Sequence, residues 1–217
     1  MIHNLPPYFG ITGTDEGVGK TLVAAILTLG LGAGYWKPIE AGLDPWTDTE
    51  WIRQKTLLPS KHFFPERHLL IKSASPHFAA QSEGKSIALE DFFLPNKYGL
   101  SHLILEGAGG VLDPLNQTDL MVDLFSHLKL PMIVVARSGV GTLNHTLLTI
   151  RELRHKGVQI LGVILNGPRD PENKKAIGFY GHVEILGEVD PLPNTNRGGL
   201  EEAFRRLAYP TSNKSFP

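Results

Sequence analysis

The sequence predicts an α/β fold of three layers, in which a parallel sheet carries helices on both faces. Short apolar runs alternate along the chain with longer segments of helical period, as repeated βα units require. A glycine-rich segment also follows the first apolar run directly and leads into the first helical segment. The length of 217 residues fits one domain of this kind, for which we predict residues 1–207.

The predicted strands are brief runs rich in Ile, Val and Leu, bounded by Gly, Pro or polar residues, as in buried parallel sheets. They cover residues 8–12, 35–39, 103–105, 132–136, 160–165 and 183–186. The predicted helices carry apolar residues three and four positions apart. They cover residues 20–31, 48–57, 89–96, 119–128, 144–156 and 199–207. Residues 208–217 have little to bury, so we expect a flexible or surface tail there.

The composition argues against several classes of protein. A formal net charge of -1 provides no long-range positive field, so we expect no nucleic-acid partner. No apolar stretch approaches the roughly 18 residues of a membrane span, and the first residues do not resemble a secretion signal. The chain contains no cysteine, which excludes disulfides and agrees with a reducing compartment. We therefore expect a cytoplasmic protein without a membrane partner.

The glycine-rich segment has the features of a phosphate-binding loop. It reads Gly13-Thr14-Asp15-Glu16-Gly17-Val18-Gly19-Lys20-Thr21 and stands between a predicted strand and a predicted helix. Glycines allow successive N–H groups to turn around a phosphate, and the lysine adds a mobile cation. The first glycine is one residue earlier than in the common spacing, so the alternative is a glycine-rich turn that caps an ordinary βα unit. The Gly-Lys-Thr ending favours nucleotide binding.

Three further charged residues follow predicted strands or open a predicted helix. Lys37 and Glu106 lie at strand carboxyl ends, where open parallel sheets form their ligand crevice. Lys37 alone would more often be a solvated strand-end charge, and its functional interpretation depends on the residues that accompany it. Asp48 opens a predicted helix, where a carboxylate also stabilises the helix dipole, and Asp44 competes with it for a functional role. With the Thr21 hydroxyl, Asp48 and Glu106 form a reasonable ligand set for magnesium bound with ATP.

Taken together, these segments resemble the dethiobiotin synthetase family over residues 9–207. The resemblance rests on many separated motifs in the family's order rather than on one. They are the phosphate loop, Lys37-Pro38 with Gly42, Asp48, Ser75-Pro76-His77 with Glu83-Gly84, Leu105-Glu106-Gly107-Ala108-Gly109-Gly110, Asp113-Pro114-Leu115, Leu143-Asn144-His145 and Gly187-Glu188. The lone histidines His77 and His145 receive no role.

The resemblance implies a ligase of biotin synthesis. Such an enzyme uses ATP and Mg2+ to convert 7,8-diaminononanoate and carbon dioxide to dethiobiotin, ADP and phosphate, normally as a homodimer. It implies Lys37 and Lys20 as catalytic residues and Thr21, Asp48 and Glu106 as metal ligands. The implied ATP-binding residues are Gly17, Val18, Gly19, Lys20, Thr21, Leu22, Asp48, Glu106, Gly107, Ala108, Gly109, Asn166, Gly167, Asp190, Pro191 and Leu192. Among these, Asn166 is expected to read the adenine, and residues 190–192 to continue the base pocket.

The resemblance also implies where the substrate binds. It assigns Ala41 to the substrate site, together with Gly141, Thr142, Leu143 and Asn144 in a loop that the partner subunit provides in the family. Free N–H groups before a helix could bind the far carboxylate of the substrate. The alternative for this loop is a plain helix cap without a ligand.

Three residues depart from the family's pattern. Ala41 replaces a residue that commonly carries a hydroxyl, Glu16 places an acid in the phosphate loop, and Asp190 replaces a proline at the base pocket. Two rival functions remain to be compared. One is a nucleotide-dependent switch of the partitioning or septum-positioning type, which typically has a further lysine near the start of the loop. The other is a cobyrinate-type amidotransferase domain, whose glutaminase segment needs a cysteine that this chain lacks.

Overall fold

The structure is a computed structural model, and it describes residues 2–43 and 45–209. Its strands are β1 (Tyr8–Gly13), β2 (Gly34–Trp36), β3 (Ile39–Ala41), β4 (Phe63–Phe64), β5 (His68–Leu70), β6 (Leu103–Gly110), β7 (Met132–Arg137), β8 (Ile160–Asn166) and β9 (Ile185–Val189). Its α-helices are α1 (Lys20–Leu31), α2 (Asp48–Thr56), α3 (Pro76–Ser82), α4 (Met121–His127), α5 (Thr142–His155), α6 (Pro171–Gly181) and α7 (Arg197–Ala208).

The main sheet has seven strands in the described part of the chain, in the order β4-β2-β6-β1-β7-β8-β9. Every pairing in it is parallel. Strand β1 lies at the centre, between β6 and β7, so the strand order reverses around it. Ligands of open parallel sheets bind outside the carboxyl ends of the strands at such a switch point. The loop after β1 therefore lies where a ligand is expected.

Helices cover both faces of the sheet and produce two apolar cores. Alternate residues of one strand belong to different cores, as a period of two requires: Val134 of β7 packs on the side of α4 and α5, and Val135 packs on the side of α1 and α7. The predicted three-layer arrangement with helices on both faces is confirmed. No helix in the described ranges is long and apolar enough to cross a membrane.

The strand predicted over residues 35–39 is wrong as a single element. Strand β2 ends at Trp36, and β3 begins at Ile39 in a separate two-stranded parallel sheet with β5. Pro38 stands between them, and it has no N–H to donate to a sheet. The break has a functional consequence, because Lys37 lies where the chain leaves the main sheet and its side chain contacts Glu106 and Gly107 of β6.

The helix predicted over residues 89–96 is also wrong. A short 3-10 turn covers Leu89–Asp91, and the segment after it has no regular structure. Pro95 explains part of this, since the residue before a proline is disfavoured in helical conformation. The prediction also missed β3, β4, β5, α3 and α6. Helix α7 continues to Ala208, and residues 210–217 of the predicted tail lie outside the described residues.

Candidate active site

The phosphate loop connects β1 to α1, and its backbone is shaped by glycines. Gly17 and Gly19 have φ of 65° and 97°, in the left-handed region, whereas φ of Val18, between them, is not positive. Backbone of this kind gathers N–H groups into an anion-binding concavity. Val18 is buried in the core and anchors the loop from below. Gly19 is the N-cap of α1, so the loop passes directly into the positive end of a helix.

Side chains from other elements hold the loop in place. Lys20 donates from Nζ to the Asp15 carbonyl at 3.0 Å. Asn166, at the end of β8, donates from Nδ2 to the Val18 carbonyl at 2.9 Å. A Cβ atom at Gly19 would collide with the Asn166 amide. The absence of a side chain at Gly19 therefore allows the end of β8 to approach the loop.

Lys37 lies inside a group of acceptors. Its Nζ contacts Asp48 Oδ2 at 2.5 Å, Glu106 Oε1 at 3.2 Å and the Gly107 carbonyl at 3.3 Å. Lys37 is 3% exposed and Glu106 is 0% exposed, so this ion pair is shielded from water. Thr21 donates from Oγ1 to Glu106 Oε1 at 2.9 Å. Glu106 thus connects the phosphate loop to Lys37.

Helix α2 brings Asp48 to Lys37. Thr47 caps the helix with its side chain, in a reciprocal capping box with Glu50. Glu40 of β3 accepts a hydrogen bond from the Asp48 N–H at 2.7 Å. These contacts fix the first turn of the helix, and Asp48 is held there by Lys37 at its side chain and by Glu40 at its main-chain N–H.

The two lysines differ in their electrostatics. Burial lowers the pKa of Lys20, and the nearby charge of Lys37 lowers it further. Burial also acts to lower the pKa of Lys37, but the carboxylates of Glu106 and Asp48 outweigh it and raise the pKa above the usual lysine value. Burial raises the pKa of Glu40 to about 7, against the opposing effect of Lys37. The two lysines are therefore held in different electrostatic environments.

These groups face one cavity of about 620 Å³. The predicted residues that line it come from the phosphate loop, the β2–β3 junction, α2 and β6. They are Gly17, Gly19, Lys20, Thr21, Lys37, Ala41, Asp48, Glu106, Ala108 and Gly109. The structure therefore brings together both lysines and all three predicted metal ligands, although they are distant in the chain. Val18, Leu22 and Gly107 lie beside these residues in the same elements.

Other predicted residues lie outside the lining of this cavity. Gly167 follows Asn166 at the end of β8, and Asp190, Pro191 and Leu192 follow β9, the strand next to it. Asp190, the departure at the predicted base pocket, accepts two hydrogen bonds from Arg169 at 2.8 and 3.0 Å. The structure thus gives Asp190 a partner of its own beside the end of β8.

The predicted substrate loop is partly helical. Helix α5 begins at Thr142 rather than at residue 144, with Gly141 as its N-cap. The Thr142 and Thr146 hydroxyls lie 3.2 Å apart and pair with each other. Leu143 and Asn144 therefore belong to the first turn of α5. Asp44, the competitor of Asp48, lies outside the described residues.

Several residues of the site have no role assigned from the sequence. Tyr35 is fully buried and donates from its hydroxyl to Glu106 Oε2 at 2.9 Å. Glu40 lines the cavity, as do Trp46, Asp113 and the segment 73–76. A buried tyrosine within an apolar strand has no distinctive pattern. Glu40 could have been recognised as a site residue, because an acidic residue next to Ala41 in a strand-end motif is unusual for a core position.

Comparison with known proteins identifies the family. A family model described as an AAA domain matches residues 9–198. The ATP-dependent dethiobiotin synthetase of Paramagnetospirillum magneticum is 44% identical over 183 residues, which cover 84% of this chain and 87% of the relative. The enzyme of the same name from Cytophaga hutchinsonii is 45% identical, over 85% of this chain and 88% of the relative. The chain belongs to the dethiobiotin synthetase family. The predicted family and enzyme class, a ligase of biotin synthesis, are thereby confirmed.

Solved structures show the wider fold of this dethiobiotin synthetase family member. A ParA family ATPase from Chlorobium tepidum matches with a TM-score of 0.58 and 14% identity, covering 96% of this chain and 94% of that one. The MinD cell division protein of Aquifex aeolicus matches with a TM-score of 0.52 and 17% identity, over 97% and 98%. At such identities the likeness concerns the fold alone. The predicted P-loop nucleotide-binding fold is therefore confirmed.

Proposed function

We propose that this chain closes the ureido ring of dethiobiotin from 7,8-diaminononanoate, carbon dioxide and ATP. The observation that carries the proposal is the gathering of Lys37, Asp48 and Glu106 with the phosphate loop around one cavity. The names of relatives at 44% and 45% identity support the same reaction. A site with two cations and two carboxylates at the carboxyl edge of a sheet suits phosphoryl transfer.

Thr21, Asp48 and Glu106 would hold Mg2+ together with the phosphates of ATP. Their donor set, one hydroxyl and two carboxylates, consists of hard oxygen ligands of the kind that magnesium takes in nucleotide sites. The contact of 2.9 Å between Thr21 Oγ1 and Glu106 Oε1 supports a shared position for two of them. When bound, the ion neutralises charge on the phosphate oxygens.

The first step would form a carbamate on the substrate. One amine nitrogen attacks carbon dioxide, a nitrogen–carbon bond forms, and the nitrogen loses a proton. The product is an anion, and Lys37 and Lys20, both lining the cavity, would stabilise it electrostatically. Their burial strengthens this effect, because little water remains to screen the charges.

The next two steps would close the ring. A carbamate oxygen attacks the γ-phosphorus of ATP, ADP leaves, and a carbamic-phosphoric anhydride forms; Lys20 would offset the charge that builds on the leaving oxygens. The second amine then attacks the carbonyl carbon and phosphate leaves. This last step needs the two ends of the substrate to be held together. No protein nucleophile is required in this scheme.

The proposal extends to the contacts with the nucleotide base, to a homodimer and to the location of the enzyme. Asn166 and Gly167, with Asp190, Pro191 and Leu192 on the neighbouring strand, would contact the nucleotide base. Residues 141–144 of one subunit would bind the far carboxylate of substrate in the other, so that a monomer would bind the substrate weakly. The cytoplasm is the location we propose for the enzyme, from the composition of the chain.

Product analysis tests the proposal. Purified protein is incubated with 7,8-diaminononanoate, bicarbonate and Mg-ATP, and dethiobiotin and ADP are measured by mass spectrometry. We expect equal amounts of the two products. ATP hydrolysis that needs a protein partner and yields no dethiobiotin would contradict the proposal and support the switch-type function. Omitting magnesium, with EDTA present, is expected to stop product formation in the same assay.

A further inference from the structure

Arg137 contacts the phosphate loop from a neighbouring strand. It is the last residue of β7, and its guanidinium donates a hydrogen bond of 3.0 Å to the main-chain carbonyl of Glu16. Its register partner in β8 is Asn166, which donates to the Val18 carbonyl at 2.9 Å. Two adjacent strand ends therefore hold two carbonyls of the loop, two residues apart.

Holding these carbonyls also fixes the direction of the next N–H groups. In a planar trans peptide, the C=O of one residue and the N–H of the following residue point in opposite directions. A fixed Glu16 carbonyl therefore orients the Gly17 N–H, and a fixed Val18 carbonyl orients the Gly19 N–H. Gly17 and Gly19 both line the 620 Å³ cavity. Without a partner, a glycine in this loop would have many other conformations.

We propose that Arg137 is a positioning residue of the phosphate loop, which keeps the Gly17 N–H aimed at a phosphate of the bound nucleoside triphosphate. The inference rests on the proposed function in taking a triphosphate as the ligand of the loop. Arg137 acts through the main chain of Glu16, which a residue of any type at position 16 would provide. The guanidinium also lies close to Gly17, 3.8 Å from the position of a Cβ atom there, so its charge favours the same anion.

Calorimetric binding to the wild-type chain and to Arg137→Met tests the proposal, with magnesium present. The two probes are ATP and inorganic tripolyphosphate, which has the phosphates but no base. We expect the Kd of both to rise by about tenfold, as for loss of a charge-assisted hydrogen bond. We expect kcat at saturating ATP to change less than twofold, because the reacting groups remain in place. Arg137→Lys is expected to recover part of the affinity.

Arg154→Met is the matched control, since Arg154 also donates to a main-chain carbonyl, that of His182 at 2.8 Å, and does not line the cavity. It should leave the Kd of both probes unchanged. A second test repeats Arg137→Met in a Glu16→Ala background, where the main-chain carbonyl is retained. The same tenfold loss supports the proposal. If the loss disappears in that background, Arg137 acts through the Glu16 carboxylate and the proposal is overturned.

Other outcomes separate this inference from the proposed function. Unchanged binding of both probes by Arg137→Met, with normal binding by the wild type, overturns the positioning role alone. A loss confined to ATP, with tripolyphosphate unaffected, also overturns it, because the effect would then concern the base. A wild-type chain that binds neither probe would overturn both proposals together.

Discussion

Lys20 and Lys37 are two lysines that line one cavity, and they are stabilised in different ways. Both are almost fully buried, at 7% and 3% exposure. Lys20 donates to a main-chain carbonyl, and its pKa is lowered by burial and by Lys37. Lys37 is paired with two carboxylates, which raise its pKa despite burial. The carboxylates of the fold therefore compensate the buried charge of Lys37, whereas the charge of Lys20 is compensated less by the protein.

Removal of Lys37 is expected to have the largest effect. Lys37→Ala leaves Asp48 and Glu106 without their buried cation, so we expect the free energy of unfolding to fall by about 3–5 kcal/mol. Dethiobiotin formation should fall below detection by mass spectrometry, while ATP binding, measured by calorimetry, is retained. Lys156→Ala is the control, because it removes a partly exposed lysine paired with Asp123 outside the cavity, where ion pairs contribute little. Normal turnover by Lys37→Ala would refute its catalytic role.

Removal of Lys20 should weaken ATP binding strongly but increase the stability of the protein slightly. We expect Lys20→Met to weaken ATP binding by about 100-fold, since a charged contact to phosphate is lost. Without nucleotide, the same variant should be more stable than wild type at pH 7, by about 1 kcal/mol, because a buried and destabilised cation is replaced by an apolar side chain. The lowered pKa of Lys20 gives the sign: the gain is present at neutral pH and disappears as the pH rises towards 10.5, the ordinary lysine value, where both states become neutral. Thermal unfolding at pH 7 and 10 measures it. A destabilised Lys20→Met would mean that Lys20 is stabilised like Lys37, and the contrast between them would be lost.

Much of the fold could be predicted from the sequence, and the failures have physical causes. The central strands of the sheet are continuous apolar runs. Their alternation with helices along the chain is sufficient to predict the fold class. Peripheral elements were missed because they bury little. Helix α6 buries Ile177 and Gly181 in its described part, too few for a clear stripe, although Asp170 and Pro171 formed a start signal that could have been used.

The site could be predicted in part for a similar reason. The sequence singles out residues with a motif of their own, such as Lys20, or next to the end of a predicted strand, such as Lys37 and Glu106, although β6 continues past Glu106 to Gly110. Residues that act through other residues are not singled out. Tyr35 and Arg137 contact Glu106 and the loop main chain across large sequence separations. Such contacts depend on which strands become neighbours, and the sequence alone does not specify the strand order.

Glu40 extends the comparison to the carboxylates. Its pKa is raised to about 7 by burial, so between pH 4.5 and 7 the folded state binds more proton than the unfolded state. Wild-type stability is therefore expected to fall as the pH rises through this window. Glu40→Gln keeps an acceptor for the Asp48 N–H but carries no charge. We expect it to match the wild type at pH 4.5 and to be more stable by about 2 kcal/mol at pH 8.

Chemical denaturation at both pH values, with EDTA and without nucleotide, measures the effect of Glu40→Gln. The comparison at pH 4.5 is the reference, because Glu40 of the wild type is then largely protonated and resembles the glutamine of the variant. If the free energies of unfolding of Glu40→Gln and the wild type differed by the same amount at both pH values, Glu40 would not be a buried, destabilised carboxylate. A loss of stability in Glu40→Gln at pH 8 would instead mean that its charge is needed to hold Lys37.

Tyr35 gives the smallest expected effect. Its hydroxyl donates to Glu106 Oε2, while Thr21 and Lys37 donate to Oε1. Tyr35→Phe removes one donor from a fully buried carboxylate without changing the shape of the core, so we expect a loss of about 1–2 kcal/mol. The Tyr35 hydrogen bond lowers the pKa of Glu106 against the effect of burial, so the variant should also move the acid side of the pH–rate profile to higher pH. Tyr180→Phe, at an exposed tyrosine of α6, is the control and should change neither property. If Tyr35→Phe changed stability but not the pH–rate profile, ionisation of Glu106 would not limit the reaction, and Glu106 would be important for the fold around Lys37 rather than for the chemistry.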